Sequence, residues 1–378
     1  MTKVGIITIN DYNNYGNRLQ NYATQEIINS LGCDAETVVN NPLVKKSIFE
    51  RIKNKSFKHL IAMGFKKIRR KVYRTKTEPK IEYLKKLRYN SFIEFTKENI
   101  KETDFEISPS NIPVNLHEKY DMFVVGSDQV WNPNFRQGSP IDFLTFAPKE
   151  KRVAFSASFG VSQLSDVFID QYKKWLKDMP HISVREDAGA KLIKQLIGRE
   201  VPVLVDPTLV LTKEKWLEIA KPAKSKPHQP YLLTYFLGDV SKERIDWINR
   251  ISSANNLSII NLLDTSNEDY YTANPSQFLD YLNNCSIFCT DSFHGVVFSI
   301  LFEKPFIVFD RVSETQLMTS RIDTILSKFN FNSRRWENII NEDDYFNIDF
   351  SHVAPILEVE RNKALTYLKN ALNLKDDD

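Results

Sequence analysis

Short apolar runs that empty into small polar residues, each followed by a helical pattern, recur along this chain in two blocks. The first block holds Val4-Gly5-Ile6-Ile7-Thr8, Ala35 to Val39, Asp121 to Val125, Val153 to Ser156, His181 to Val184 and Val203 to Asp206. The second holds Tyr231 to Leu237, Leu257 to Leu263, Ser286-Ile287-Phe288-Cys289-Thr290 and Pro305 to Phe309. Apolar strands separated by helical crossovers build parallel sheets with helices on both faces. Two such blocks predict two Rossmann-like doubly wound α/β domains facing a cleft. Polar residues that end a strand just before a helix lie at the carboxyl edge of the sheet, where open α/β sheets bind ligands.

The boundaries follow from punctuation. Lys221 to Pro230, with Pro222, Pro227 and Pro230, reads as an exposed connector. Residues 1–220 are therefore expected to form the N-terminal domain, with a basic helical insertion over about 45–95, and 221–350 the C-terminal domain. Residues 351–378 carry Ile356, Leu357, Leu365, Leu368 and Leu372 at helical spacing, a helix expected to cross back onto the first domain. In the first domain, Asn10 to Asn17 reads as a loop and Arg18 to Leu31 as the helix, stopped by Gly32.

An apolar fraction of 42% and a charged fraction of 26% are those of a globular protein, and no run of eighteen apolar residues is present to span a bilayer. The start, Met1-Thr2-Lys3, lacks a signal-peptide pattern, and Cys33, Cys285 and Cys289 are too few for a disulfide framework or zinc site. These features predict a cytoplasmic chain with reduced thiols. The formal net charge of +3 conceals an asymmetry: Lys45 to Lys76 holds thirteen Lys or Arg against Glu50, a local +12 that leaves −9 elsewhere. Phe57, Ile61, Ile68 and Val72 form an apolar stripe under that basic face. It fits either a solvated helix packed on its own domain or an amphipathic helix on an anionic membrane surface, at the inner membrane face. No nucleic-acid module accompanies it, so no nucleic-acid partner is expected.

The strand tips name the candidate chemistry. His294, beside Asp291 and Ser292 and ahead of Gly295, stands at a helix start that would aim backbone N–H groups at an anion. It could exchange a proton with a bound phosphate or enol, or merely cap the helix. Arg185 and Arg321 are candidate anion ligands. On the first sheet, Asn14, Tyr15, Asn17 and Gln20 form one polar cluster and Ser127, Asp128, Trp131 and Asn132 another. Amides, a carboxylate and an aromatic ring suit a sugar; a dinucleotide is disfavoured because no G-x-G-x-x-G follows the first strand. No histidine spacing suggests a metal, and no cofactor is expected.

Five motifs in order carry a family resemblance: Asn14-Tyr15-Gly16-Asn17-Arg18-Leu19-Gln20, Gly126-Ser127-Asp128-Gln129-Val130-Trp131-Asn132, Ser156-Ala157-Ser158-Phe159-Gly160, Ser183-Val184-Arg185-Glu186 and Thr290-Asp291-Ser292-Phe293-His294-Gly295. Together they resemble the polysaccharide pyruvyl transferase family from about Val4 to about Ile325. The resemblance implies the glycosyltransferase-B arrangement, phosphoenolpyruvate as donor substrate and a sugar hydroxyl pair, free or lipid-linked, as acceptor. It gives His294 the catalytic histidine role; in the mechanism this suggests, His294 acts as the acid and Asp128 or Asp291 could take the hydroxyl protons. Arg185, Ser292, Gly295 and Arg321 would bind the donor; the two first-sheet clusters would bind the acceptor. One place departs: many members carry an arginine where this chain has Ser292, and Arg321 is the candidate substitute. A nucleotide-sugar glycosyltransferase, or a non-catalytic sugar-binding protein of envelope biosynthesis, is the alternative.

Overall fold

The computed structural model describes residues 1–42, 78–311 and 320–374. The basic stretch Lys45–Lys76 lies outside them. Among the described residues two sheets form, and every ladder in both is parallel. The first contains β1 (Lys3–Ile7), β2 (Asp34–Asn40), β3 (Glu102–Ile107), β4 (Met122–Val125), β5 (Arg152–Ala157) and β6 (His181–Val184), in the order β3-β2-β1-β4-β5-β6. The second contains β7 (Tyr231–Tyr235), β8 (Ser258–Asn261), β9 (Ile287–Thr290) and β10 (Phe306–Val308), in the order β10-β9-β7-β8. Among the described residues no helix is long and apolar enough to cross a membrane.

The order decides where a ligand can sit. In the first sheet the winding reverses between β1 and β4, and in the second between β7 and β9. Loops leaving the sheet at such a point diverge and open a crevice. The β1 and β4 exits carry Asn14 and Asp128; the β7 and β9 exits carry Leu237 and His294. The two switch points supply the walls of one cleft.

Central strands β4, β5 and β7 are fully buried because helices cover both faces, so they read as mostly apolar runs, broken only by Arg152 and Ser156 in β5 and Thr234 in β7. Edge strand β3 went unread for the opposite reason. Glu102, Asp104 and Glu106 alternate along it, and only Ile107 is fully covered. Val203, read as a strand start, makes only an isolated bridge to Val184.

Helix α1 (Tyr15–Ser30) begins three residues before its expected start. Asn14 caps it, its Oδ1 accepting from Asn17 N at 3.2 Å, so Tyr15 to Asn17 form the first turn rather than a loop. Helix α2 (Glu78–Asn99) belongs to the fold proper, since Leu84, Phe92 and Phe95 are buried. Of the insertion expected over about 45–95, residues 43–77 lie outside the described residues. The final helix, α4 (Val353–Ala371; α3 is Phe293–Leu301), does return to the first domain. Tyr367 Oη donates to Ala154 O at 2.8 Å, and Arg361 donates to the carbonyls of Leu209 and Leu211, both at 2.9 Å.

The lobes are fastened across α1. Tyr15 stacks on Phe278 at 4.6 Å and donates to Ala273 O. Arg88 of α2, almost wholly buried, donates to Tyr15 Oη (3.1 Å), Tyr271 O (2.6 Å) and Asn13 O (3.1 Å) while its guanidinium lies over the Tyr15 ring. Hydrogen bonds to a charged group are each worth about 1.5–3 kcal/mol net. Arg88→Ala is expected to lower stability by roughly 2–4 kcal/mol in a urea titration. An unchanged midpoint would mean that this bolt carries no load.

Candidate active site between the two sheet edges

A cavity of about 350 Å³ lies between the carboxyl edges of the two sheets. That is within the range of small-molecule sites. From the first lobe Asp11, Asn14, Asn17, Asp128, Gln129 and Phe135 line it; from the second, Leu237, Ser292, Phe293, His294, Arg311 and Arg321. A larger hollow of about 530 Å³ opens at the amino ends of β1–β3, the wrong end of the sheet for such a site, and is lined partly by the Lys101–Asp34 pair.

His294 is the second residue of α3, whose cap Ser292 accepts from Gly295 N at 3.3 Å. Its ring reaches across to the first turn of α1 and packs against Gly16. A Cβ there would stand 2.0 Å from Nδ1 and 2.3 Å from Cγ. Two of the sequence motifs thus meet face to face: the glycine is required by the imidazole. The other ring nitrogen, Nε2, lies 3.5 Å from Asp206 Oδ2.

Asp206 is fully buried, and burial opposes its ionisation; the nearby His294 and Arg185, with the Thr208 hydroxyl, outweigh that and hold its carboxyl well below the usual range. Arg185 Nη1 is 2.5 Å from Asp206 and Nη2 3.7 Å from Asp128, and the guanidinium covers the Phe293 ring at 4.4 Å. Arg185 therefore stands behind the cavity wall, with Nε and Nη2 lacking hydrogen-bond partners. Asp128 adopts a left-handed backbone (φ 59°) at the β4 exit and accepts from Asn17 Nδ2 at 3.0 Å. Burial works against its charge too, but Arg185 and His294 keep it lowered and ionised. Asp11 is different: burial dominates there and raises its carboxyl. Burial and the neighbouring Arg185 push Arg321 down to about 10, so it remains a cation at neutral pH.

Other candidates from the strand tips do not reach the cavity. Trp131 is fully buried, stacked on Phe143 at 5.5 Å with Nε1 donating to Asp142 O, so its face cannot meet a sugar. Tyr15 fills the interlobe core. Gln20 is buried, donating to Thr8 Oγ1 and accepting from Ser127 N. Ser127 spends its hydroxyl on Ser156 O and Asp206. Asn132 caps a short helix and donates to Gln129 Oε1. Asp291 receives Leu237 N (2.7 Å) and Gly238 N (2.8 Å) and pairs with Arg311, so its carboxylate holds a turn. Gly295 lets α3 pack on Thr290, whose Oγ1 a Cβ would meet at 2.9 Å. The reason is common to all: a loop-tip position says that a residue is near the edge, not which way its side chain turns.

Four contributors escaped the sequence reading. Arg311 follows β10 and obeys the same strand-exit rule that found Arg185. Phe135, 47% exposed, is the aromatic ring that does line the cavity, four residues past Trp131. Asp11 sits in the polar loop after β1. Asp206, in Val205-Asp206-Pro207, carried a cap signal only: its Oδ1 accepts from Thr208 N at 3.0 Å.

Comparison with known proteins agrees with this architecture. A putative UDP-N-acetylglucosamine 2-epimerase from Listeria monocytogenes superposes with TM-score 0.50 at 10% identity, covering 99% of this chain and 98% of its own. The UDP co-structure of S. aureus MnaA gives TM-score 0.50 at 11% identity, over 100% and 98% of the two chains. At such identity the likeness concerns the fold, the two-domain glycosyltransferase-B arrangement. No curated protein matches significantly. The family model described as polysaccharide pyruvyl transferase matches residues 14–313, which include both halves of the cleft. With the motifs that meet at Gly16 and His294 inside that span, the chain belongs to the polysaccharide pyruvyl transferase family.

Proposed function

We propose that this protein transfers pyruvate from phosphoenolpyruvate to two hydroxyls of one sugar, forming a cyclic ketal and releasing phosphate. The observation that carries the reading is His294, set in a cavity with arginines on the second lobe and carboxylates on the first. Arg311, Arg321 and the amino end of α3 suit the donor's phosphate and carboxylate. The imidazolium of His294 gives its proton to the methylene carbon, and the carbon–carbon π pair forms the new C–H bond. The second carbon becomes an oxocarbenium-like centre. One sugar hydroxyl adds to it, its proton passing to Asp128 and on to restore the histidine. The bond to phosphate then breaks, the second hydroxyl closes the ring, and its proton leaves with phosphate. Each positioned proton transfer contributes roughly a hundred- to ten-thousandfold.

Phosphoenolpyruvate should raise the melting temperature, because a ligand that binds only the folded state stabilises it by mass action. A shift with a UDP-sugar instead would favour a nucleotide-sugar glycosyltransferase; a shift with sugars alone would favour a binding protein. In this reading Phe135, which lines the cavity, takes the apolar face of the acceptor ring. Phe135→Ala is expected to raise the acceptor KM several-fold and leave the donor KM unchanged, with Phe135→Tyr close to wild type. Equal effects on both substrates would remove Phe135 from the acceptor side.

Localisation at the inner membrane face is supported by the Lys45–Lys76 charge alone. A lipid-linked acceptor would be met there, since each basic residue near anionic lipid adds about 1 kcal/mol. Co-sedimentation with vesicles should require anionic lipid and fade with salt. Equal binding to neutral vesicles would exclude this role.

A further inference from the structure

We propose that Asp206 is a positioning residue that fixes the His294 ring with Nε2–H toward its carboxylate, so that the proton given to the donor leaves from Nδ1. The inference rests on the pyruvyl-transfer reading for its last clause, but its geometric core does not. Nε2 is buried, has no hydrogen-bond partner, and lies 3.5 Å from Asp206 Oδ2. A buried ring nitrogen so placed gains most by carrying a proton toward the nearest charge, and such contacts tighten when substrate binds.

The carboxylate is held on every side. Ser127 Oγ donates to it at 3.1 Å, Thr208 N and Oγ1 at 3.0 and 2.7 Å, and Arg185 Nη1 at 2.5 Å. Its position is therefore set by the first lobe, while the imidazole belongs to the second. Nδ1 packs against Gly16 in the first turn of α1, and His294 lines the cavity. The remaining charges about the ring are Asp128 and Asp11 from the first lobe and Arg321 and Arg311 from the second.

During transfer the imidazolium loses its Nδ1 proton to carbon and keeps its Nε2 proton against Asp206. The neutral ring then presents an Nδ1 lone pair that takes up the acceptor hydroxyl's proton as Asp128 passes it on. Without the carboxylate the neutral ring can place its proton on Nδ1, which blocks that return.

The test is nitrogen NMR of the full chain with labelled imidazoles. Six histidines are present, and the His294 signals are those lost in His294→Gln. In the neutral ring Nε2 should be protonated and Nδ1 bare. Asp206→Asn should move the population toward Nδ1–H and lower kcat by about a hundred- to ten-thousandfold, with the donor KM within about threefold. A native ring protonated on Nδ1 overturns the proposal, as does a variant whose tautomer and kcat match wild type. If Asp206→Asn does not fold, the native spectrum decides alone. If the wild type does not turn over phosphoenolpyruvate, the functional reading fails while the tautomer still tests the role of Asp206.

Discussion

His294→Ala should release phosphate from phosphoenolpyruvate at least about a hundredfold more slowly than wild type, and up to ten-thousandfold. Donor binding should survive, because the arginines and the α3 amino end stay in place. The ring is 7% exposed and packed between lobes, so some loss of melting temperature is expected as well. Circular dichroism and a donor-induced thermal shift separate the two effects. An unfolded variant says nothing about acid catalysis, whereas a folded, donor-binding variant that keeps more than a few per cent of activity removes His294 from the proton transfer.

Gly16→Ala should be nearly as damaging, though its position touches no substrate. The added methyl would lie 2.0, 2.3 and 2.7 Å from Nδ1, Cγ and Cβ of His294. Contacts that short cannot persist, and the obstacle is a buried ring rooted in the first turn of a helix rather than a flexible tip. On helix propensity alone alanine would gain about 1 kcal/mol over glycine. Any measured loss is therefore the collision, which overpacking puts at about 1–3 kcal/mol. A displacement of about 1 Å at a reacting group costs on the order of a hundredfold in rate. The double variant isolates the cause: in a His294→Ala background Gly16→Ala should cost neither stability nor further activity. An equal cost in both backgrounds would show that the glycine serves something other than the imidazole.

How far the fold could be read depended on burial. The runs Met122–Val125 and Ile287–Cys289 are apolar at every position because they are covered on both faces, and they were legible. Strand β3 was not, since Glu102, Asp104 and Glu106 along an open edge look like loop. The start of α1 was misplaced because a run of Asn residues offers several caps, and only the contact of Asn14 with Asn17 N selects one. Position at a sheet edge was likewise legible for His294, Asp128, Asn14 and Asn17. Orientation was not: Trp131 and Tyr15 turn into cores, and Asp291 turns back onto its own lobe. Pairings across the lobes, Gly16 with His294 and Asp206 with His294, depend on how two separately wound sheets dock, which no local pattern encodes.

The most direct measurement is the reaction run in deuterated water, with phosphoenolpyruvate and sugars offering paired hydroxyls, followed by mass and NMR analysis of the product. Protonation of the methylene carbon by His294, in exchange with solvent, predicts phosphate release together with a ketal whose methyl carries one deuterium. Consumption of a nucleotide sugar with release of a nucleoside diphosphate, and no phosphate from phosphoenolpyruvate under any acceptor, would contradict it.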